Sequence, residues 1–259
     1  MRLATWNINS LNVRLQRLTA WLAATGPDIV CLQETKLVDA KFPRLELAAA
    51  GYIAHFIGQN TYNGVALIVR DGFGPVNDVE LALPDFVDEQ KRVIAATVGD
   101  LRIVDFYVPN GQSVDSDKYR YKLDWCRAAT AFLARERERH PRLIVLGDFN
   151  IAPEDRDVHD PELWRGQVMC SDAERQVFRD WLALGLHDSF RLFPQPANTF
   201  SWWDYRMLAF PKNRGLRIDH ILLSPTLATA CRASWIDRNM RKGEKPSDHA
   251  PAIVELRDA

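Results

Sequence analysis

The sequence contains few cysteines and no closely spaced pair of them. The four cysteines lie at positions 31, 126, 170 and 231, and no Cys-x-x-Cys motif occurs. A structural zinc site or a disulfide-stabilised scaffold needs closer pairs, so this pattern argues against both. We therefore expect buried free thiols in a reducing compartment.

The sequence also has no long hydrophobic run. No stretch approaches the ~18 consecutive apolar residues that a membrane-spanning helix requires. The first residues do not combine a charged leader with an apolar core and a small-residue cleavage site. These absences predict a cytoplasmic protein with no membrane partner.

Neither sign of charge dominates. The 33 lysines and arginines nearly balance the 34 aspartates and glutamates, so the formal net charge is -1. Any site for a polyanion must therefore come from local clusters of cationic side chains. The 259 residues are 47% apolar and 26% charged, which is typical of a globular protein. Because proline- and serine-rich linkers are also missing, we predict one domain over residues 1–259.

Short apolar runs rich in Val and Ile recur along the chain and predict β-strands. They lie at residues 3–6, 29–32, 65–69, 93–98, 103–108, 143–146, 218–223 and 253–256. Helical periodicity predicts helices at residues 11–24 and 117–140, and a capping-box pattern at Ser171 begins a third. The runs at 93–98 and 103–108 predict a hairpin, which argues against a wholly parallel sheet. The pattern fits two mixed sheets packed together with helices outside.

Polar residues with catalytic potential fall at the ends of the predicted strands. They are Asn7, Glu34, Tyr107, Asp148, Asn150, Asp219, Asp248 and His249. Sheet proteins build their sites in such loops, and hard oxygen ligands without cysteine favour magnesium or manganese over zinc. Asp148 and Asn150 alone are equally compatible with an ordinary turn.

Asp219 is harder to explain as a structural residue. A carboxylate within the apolar run at 218–223 would be buried at a cost of several kcal/mol unless something pairs with it. His249 is the natural partner, because the carboxylate would fix the tautomer of the imidazole and stabilise its cation.

Six motifs occur in the order that is typical of one nuclease family. They are Trp-Asn-Ile-Asn at 6–9, Leu-Gln-Glu-Thr-Lys at 32–36, Gly-Asp-Phe-Asn-Ile at 147–151, Ser-Trp-Trp-Asp-Tyr-Arg at 201–206, Gly-Leu-Arg-Ile-Asp-His-Ile-Leu at 215–222 and Ser-Asp-His-Ala-Pro at 247–251. Through them the chain resembles the exonuclease III/AP endonuclease family of DNA-repair nucleases, within the endonuclease–exonuclease–phosphatase superfamily. The resemblance spans essentially the whole chain. It implies an α/β fold, a four-layer sandwich of two mixed β-sheets packed together and flanked by helices.

The resemblance also implies a divalent-metal site and its cofactor, Mg²⁺ or Mn²⁺. Glu34 would be the principal ligand, with Asn7 beside it and Asp248 near the metal. A divalent ion offsets the charge repulsion that water meets when it attacks a phosphodiester anion.

The same resemblance assigns catalytic roles. Asp148 would orient or deprotonate the attacking water, and Asn150 would position that water and the phosphate. Tyr107 would contact the phosphate, and Asp219 would pair with His249, which faces the scissile phosphate. In-line attack would leave a 5′-phosphate and a free 3′-hydroxyl.

Cationic and aromatic residues near these motifs predict a DNA-binding surface. The predicted DNA contacts are Asn110, Trp202, Trp203, Arg206, Arg214, Arg241 and Lys242. Strand alternation would put Trp202 and Trp203 on opposite faces, one in the core and one at the site. We expect a monomer that acts on double-stranded DNA with abasic sites or with damaged or recessed 3′ ends, and that is associated with the nucleoid.

The chain departs from the family pattern at residues that touch the substrate. Ser10 stands where the family usually has Gly, Asn12 stands where it often has Arg, and Gln112 stands where some relatives carry an Arg. Met169 lies in a segment that the family places near the abasic pocket, and its bulk predicts a narrower pocket that favours 3′ ends. The balance between abasic sites and 3′ ends therefore stays open.

Two other functions are weighed against this one. The same metal chemistry could act on RNA, a phosphoinositide or sphingomyelin, although the Trp-Trp-Asp-Tyr-Arg motif and the late basic loop favour DNA. A non-catalytic DNA-binding module is disfavoured because every chemical position that matches the family is intact.

Overall fold

The computed structural model describes residues 1–257, so the last two residues of the predicted domain lie outside the described residues. The described residues form twelve strands: β1 (Arg2–Asn7), β2 (Ile29–Gln33), β3 (Tyr52–Ile57), β4 (Val65–Arg70), β5 (Val76–Glu80), β6 (Val93–Val98), β7 (Leu101–Tyr107), β8 (Leu143–Asp148), β9 (His187–Asp188), β10 (Asp219–Leu223), β11 (Cys231–Ile236) and β12 (Ala252–Leu256). The helices are α1 (Leu11–Thr25), α2 (Arg44–Ala49), α3 (Asp117–Arg139), α4 (Pro161–Trp164), α5 (Asp172–Ala183) and α6 (Pro225–Ala230).

The strands form two six-stranded mixed sheets. The first has the order β11-β12-β1-β2-β4-β3 and the second the order β5-β6-β7-β8-β10-β9. In each sheet one central pair is parallel, β1 with β2 and β7 with β8, and the remaining neighbours are antiparallel. The predicted hairpin of β6 and β7 is confirmed.

The two sheets pack face to face, and the helices cover their outer faces. The central core joins Leu3, Cys31 and Leu67 of the first sheet to Ile103 and Ile144 of the second. A second apolar cluster packs α3 and α5 on the outer face of the second sheet, and a third packs α1 on the first. The predicted four-layer α/β sandwich is therefore confirmed.

The strands that the sequence pattern did not predict are the four sheet edges, β3, β5, β9 and β11. An interior strand such as β2 is buried at every position, which produces a continuous apolar run. The edge strand β5 is exposed at most positions, and β9 has only two residues. Edge strands therefore lack the apolar run by which interior strands are recognised.

The predicted helices are confirmed with small shifts at their ends. Ser171 and Glu174 form the reciprocal hydrogen bonds of a capping box at the start of α5. Gly26 ends α1 in a left-handed conformation that glycine adopts without a steric penalty. Within residues 1–257 no helix is both long enough and apolar enough to span a bilayer.

A buried ion pair joins the second sheet to its helix layer far from the strand ends that carry the polar residues. The Arg102 side chain is 2% exposed and pairs with Glu136 of α3, which is 3% exposed, and with Glu80 of β5. Removing one partner of such a pair leaves the other charge buried without compensation.

Replacing Arg102 with Met should lower the free energy of unfolding by about 3–5 kcal/mol, since Glu136 would lose its counter-charge. Urea denaturation followed by circular dichroism measures this change. The double variant Arg102→Met/Glu136→Leu removes both charges and should recover most of the loss. A single variant as stable as the unaltered protein would contradict this account.

Candidate active site

Strand register brings the polar strand ends to one edge of the sandwich. In the first sheet Asn7 ends β1 opposite Gln33, which directly precedes Glu34. In the second sheet Asp148 at the end of β8 is paired with Tyr107 on one side and with Asp219 on the other. Residues that are more than 200 positions apart in the chain therefore share one cleft because both sheets present the same edge.

Glu34 lies at the centre of the first half of the cleft. Its Oε1 accepts hydrogen bonds from the Asn7 Nδ2 and from the Tyr107 hydroxyl, both at 2.8 Å, and its Oε2 lies 2.7 Å from the Lys36 ammonium. Burial alone would raise the pKa of the Glu34 carboxyl, but Lys36 and Asn7 lower it below its ordinary value. Glu34 is therefore an anion in the folded protein.

Tyr107 remains a hydrogen-bond donor in this arrangement. Burial, together with the adjacent Glu34 charge, raises the pKa of the Tyr107 phenol well above its usual value. The hydroxyl is therefore protonated at neutral pH and is able to donate to an anionic oxygen.

Asp148 is almost completely buried and is held at both oxygens. Its Oδ2 accepts the Asn7 Nδ2 at 2.9 Å, and its Oδ1 accepts the Asn150 backbone N–H at 3.0 Å. Burial raises the pKa of the Asp148 carboxyl to about 7, against the opposing effect of the His249 cation. A carboxylate that takes up a proton near neutral pH is suited to act as a general base.

The predicted pair of Asp219 and His249 is present. The His249 Nδ1 donates to the Asp219 carboxylate and lies 2.9 Å from its Oδ2 and 3.1 Å from its Oδ1. The other ring nitrogen, Nε2, lies 3.7 Å from the Asp148 Oδ2. Burial alone would lower the pKa of His249, but the carboxylates of Asp219 and Asp148 raise it to about 10. The imidazole is therefore a cation that faces the cleft with its orientation fixed.

A chain of hydrogen bonds connects Asp248 to the Glu34 side of the cleft. Asp248 accepts Trp202 Nε1 at 3.0 Å and Asn9 Nδ2 at 2.8 Å, while the Asn9 Oδ1 accepts Lys36 Nζ at 2.6 Å. Asp248 therefore lies at the rim, where it also orients the indole of Trp202.

The cleft is a cavity of about 270 Å³. Its lining contains most of the predicted residues, namely Glu34, Tyr107, Asn110, Asp148, Asn150, Trp202, Asp248 and His249, together with Met169 and Ile218. Asn7 and Asp219 lie behind this surface and hydrogen-bond to residues that line it.

The cleft suits a hard cation. Carboxylate oxygens of Asp148 and Asp219 and a nitrogen of His249 lie within 4.8 Å of one another, and Glu34 adds a further carboxylate. Oxygen ligands of this kind are those that magnesium and manganese prefer. The Asn7 oxygen accepts the Asn9 N–H at 3.0 Å, so the Asn7 amide nitrogen, rather than its oxygen, faces the carboxylates.

Two of the predicted DNA contacts are wrong. Trp203 is 0% exposed and packs with Phe200 and Ala250, whereas Trp202 lines the cleft, as strand alternation predicted for one of the pair. Arg241 is 6% exposed and donates to the Trp203 carbonyl at 3.1 Å. A pattern of cationic and aromatic residues does not reveal which of them are used in packing.

The other predicted cations remain on the surface. Arg206 pairs with Asp204 at 2.7 Å, Lys242 donates to the Asn239 side chain at 2.8 Å, and Arg214 is exposed beside a polar cavity. Arg217, three residues after Arg214, is 1% exposed and pairs with Asp157 and Asp188. It is a structural residue.

Some residues of the site were not identified from the sequence. Lys36 belongs to the Leu-Gln-Glu-Thr-Lys motif, but the motif does not predict that it pairs with Glu34. The Ser201 hydroxyl accepts the Asp219 backbone N–H at 3.0 Å and so fixes the start of β10. Lys36 and Ser201 both lie within the six motifs, and this location is the signal from which they could have been identified.

Fold and site together define a class of protein. A cleft that presents a hydrogen-bonded carboxylate base, an imidazolium, a phenol and a cluster of hard oxygen ligands is suited to metal-assisted hydrolysis of a phosphate ester.

Comparison with known proteins identifies the family. The model of the Endonuclease/Exonuclease/phosphatase family matches residues 4–249. The chain is 35% identical to exodeoxyribonuclease III of Haemophilus influenzae, in an alignment that covers 99% of this chain and 100% of that relative. The chain belongs to this family, in its exonuclease III and AP endonuclease branch, and it is a hydrolase of the nuclease class that acts in DNA repair.

Solved structures agree with this assignment. A Neisseria protein described as the 3′ phosphatase NExo bound to a product DNA hairpin is 46% identical, with a TM-score of 0.97 and 100% of both chains covered. An AP endonuclease from Archaeoglobus fulgidus is 33% identical, with a TM-score of 0.93 and the same coverage.

Replacing Asp219 with Asn should lower the pKa of His249 from about 10 towards or below its ordinary value, because the stabilising charge is lost while burial persists. In the unaltered protein, the stabilisation from this pair is fully present below the unfolded pKa of about 6.5 and is lost as pH rises through about 10. Histidine NMR titration measures the pKa. His220, whose pKa burial lowers to about 4, is an internal control outside the cleft. An unchanged His249 titration would refute the assignment.

Proposed function

We propose that the chain hydrolyses the phosphate esters of damaged double-stranded DNA, at blocked or recessed 3′ ends and at abasic sites, with a divalent metal ion as cofactor. The observation that carries the proposal is the convergence of Glu34, Tyr107, Asp148 and His249 on one cleft that is large enough for a phosphate.

The residues of the second sheet supply the attack on phosphorus. The Asp148 carboxylate orients a water molecule and takes a proton from it. The Asp148 pKa of about 7 lets the carboxyl group alternate between its deprotonated and protonated forms near neutral pH. The water oxygen forms a bond to phosphorus as the bond from phosphorus to the 3′ oxygen breaks, and the released 3′ oxygen takes up a proton from Tyr107 or His249, which are both protonated and line the cleft. A 3′-hydroxyl and a 5′-phosphate result from an internal phosphodiester, and inorganic phosphate results from a 3′-phosphate.

Cationic and neutral donors stabilise the charge that develops on phosphate. His249 is held as a cation by Asp219, and Tyr107 presents a protonated phenol. The Asn150 Nδ2 donates to the Val108 carbonyl at 3.0 Å. This bond fixes the Asn150 side chain, so the side chain is in position before substrate arrives. Donors that are placed in advance act without the cost of reorganisation.

Glu34 is the proposed principal ligand of the metal, with Asn7 and Asp248 nearby. When bound, a divalent ion polarises the phosphate oxygens and offsets their charge. The Lys36 ammonium lies 2.7 Å from the Glu34 Oε2. This contact supports a preference of the Glu34 carboxylate for a positive charge beside it. The oxygen-rich ligand set favours Mg²⁺ or Mn²⁺.

The proposed DNA-binding surface combines a cleft residue with exposed cations that lie within six residues of cleft residues in the sequence. Trp202 lines the cleft, and the exposed cations Arg206, Arg214 and Lys242 would contact the phosphate backbone. Asn110 reaches the cleft from the β7–α3 connection, and its Nδ2 donates to the Asn150 Oδ1 at 3.0 Å. We also propose that the chain acts as one domain and as a monomer, near the nucleoid.

Met169 supports a preference for 3′ ends. Its side chain is 6% exposed, lines the cleft, and lies with its sulfur 4.0 Å from the Asn110 amide nitrogen. A bulky side chain here narrows the space for an abasic sugar that is flipped out of the DNA duplex. The similarity to a protein described as a 3′ phosphatase is consistent with this preference.

Magnesium should support removal of a 3′-phosphate from a labelled duplex, and EDTA should abolish it. Asp148→Ala should retain DNA binding but lose turnover by roughly 10²–10⁴-fold, the usual contribution of a general base. Gel shift and product analysis measure the two properties. Asp124→Ala, at an exposed position on α3, is the matched control and should behave as the unaltered protein. Magnesium-independent cleavage, or full activity without Asp148, would contradict the proposal.

Met169→Gly should raise cleavage at an internal abasic site relative to removal of a 3′-phosphate. Glycine removes the side chain and readily adopts the left-handed backbone found here, φ +72°. The volume-matched control Met169→Leu should leave the ratio nearly unchanged. Equal ratios in the glycine variant and the unaltered protein would exclude Met169 as the determinant.

A further inference from the structure

An ion pair lies in the interior below the cleft, where the proposed chemistry does not use it. Lys122 from the start of α3 and Glu174 from the start of α5 are both 0% exposed, and their charged atoms are 2.5 Å apart. The capping-box pattern indicates Glu174 only as a residue of the start of α5, and no motif includes Lys122.

Lys122 connects two of the loops that form the cleft. Its ammonium donates to the Asn150 carbonyl at 2.7 Å and to the Asn110 carbonyl at 3.1 Å, in addition to Glu174. These three acceptors match the three donors of an ammonium group. The backbone of both asparagines is therefore fixed from below, while their side chains line the cleft.

Glu174 fixes a third loop. Its Oε1 accepts the Met169 backbone N–H at 2.9 Å, and its Oε2 accepts the Ser171 backbone N–H at 3.1 Å and the Ser171 hydroxyl at 2.6 Å. The ion pair thus connects the loops of Asn110, Asn150 and Met169 in one network.

Two of the residues that the ion pair binds directly have a strained backbone conformation. Asn150 has φ +49° and Met169 has φ +72°, in the left-handed region that residues other than glycine seldom adopt. Such conformations persist only where the surroundings hold them. The Lys122 bond to the Asn150 carbonyl and the Glu174 bond to the Met169 amide act directly on these two residues.

Stability alone does not account for a buried ion pair. Its desolvation cost often equals or exceeds its attraction, and apolar pairs of similar volume are frequently as stable. The pair of Arg102 on β7 with Glu136 on α3 makes no bond to a cleft residue among those described, whereas Lys122 and Glu174 bond to three.

We propose that Lys122 and Glu174 are positioning residues that hold the Asn110, Asn150 and Met169 loops in the geometry needed for hydrolysis and for selection of the damaged end. This inference rests on the proposed function of the cleft. It extends the catalytic machinery to the interior faces of α3 and α5.

The test separates positioning from stability. In the double variant Lys122→Met/Glu174→Leu both charges are removed together, so no unpaired charge is buried and the protein should fold. The backbone groups that the pair bound lose their partners, so unfolding stability should fall, and activity is measured under conditions where urea denaturation shows the variant to be fully folded. Its kcat for 3′-phosphate removal should fall about 100-fold, the loss expected from small displacements of catalytic groups. The KM should change much less. The matched control is Arg102→Met/Glu136→Leu, whose kcat should be unchanged.

Hydrogen exchange gives a readout that does not depend on turnover. The amides of residues 148–152 and 167–171 should exchange faster in the Lys122→Met/Glu174→Leu variant and at the normal rate in the control. If the unaltered protein folds correctly but shows no activity, the proposed function is refuted. The hydrogen-exchange comparison would still test the positioning role.

A double variant with normal kcat and normal exchange in these loops would overturn the inference. If that variant fails to fold, Glu174→Gln decides the matter, because it keeps the volume and removes the charge that Lys122 and the Met169 amide contact. We expect Glu174→Gln to lower kcat and to speed exchange at residues 167–171. Normal values of both would refute the positioning role.

Discussion

The cleft depends on a balance of buried charge. Glu34, Asp148 and Asp219 bring three carboxyl groups into one cleft. Asp148 and Asp219 are buried, and each anion would cost several kcal/mol there if it were unpaired, while Glu34 is 18% exposed. The His249 cation lies between two of them and the Lys36 ammonium contacts the third. Because Asp148 keeps a pKa of about 7, the cleft can hold a proton at the point where one must be removed from water.

This balance exists only when both sheets are packed against each other. Asn7 and Glu34 come from the first sheet, and Tyr107, Asp148 and Asp219 come from the second, so bonds such as Asn7 to Asp148 cross the interface. Directly behind the cleft, Gln33 donates to Asp105 across the same interface at 2.6 Å. The apolar core between the sheets therefore determines the separation of the catalytic groups, which is why a chain with scattered motifs forms one site.

Continuous apolar runs and polar strand ends are local signals, and they predicted the interior strands, two mixed sheets and the polar strand ends that form the cleft. The four-layer sandwich and the roles of the cleft residues came from the family resemblance. The local signals missed the edge strands, whose exposed residues lack such a run. They also misplaced Trp203 and Arg241, since a cation or an indole has the same appearance in a sequence whether it contacts DNA or packs inside. The Lys122–Glu174 pair was not predicted for a related reason. The capping-box pattern indicates Glu174 only as a helix-start residue, and most partners of the pair are backbone carbonyls and amides, which every residue type supplies.

The molecule divides into a chemical centre and a surrounding rim that differ in how they are held. Asp148, Asp219 and His249 are fixed by strand pairing and by each other, so their geometry follows from the fold. Asn110, Asn150 and Met169 stand on loops whose strained backbone is held by side chains from the helix layer. The backbone N–H of Asn150 donates to Asp148 and so connects the rim to the centre. Because Asn110 and Met169 are held by a few contacts rather than by a sheet, the shape of the rim at these two residues can change while the strand-borne groups stay in place. Relatives that share the centre can therefore differ in the DNA end that they accept.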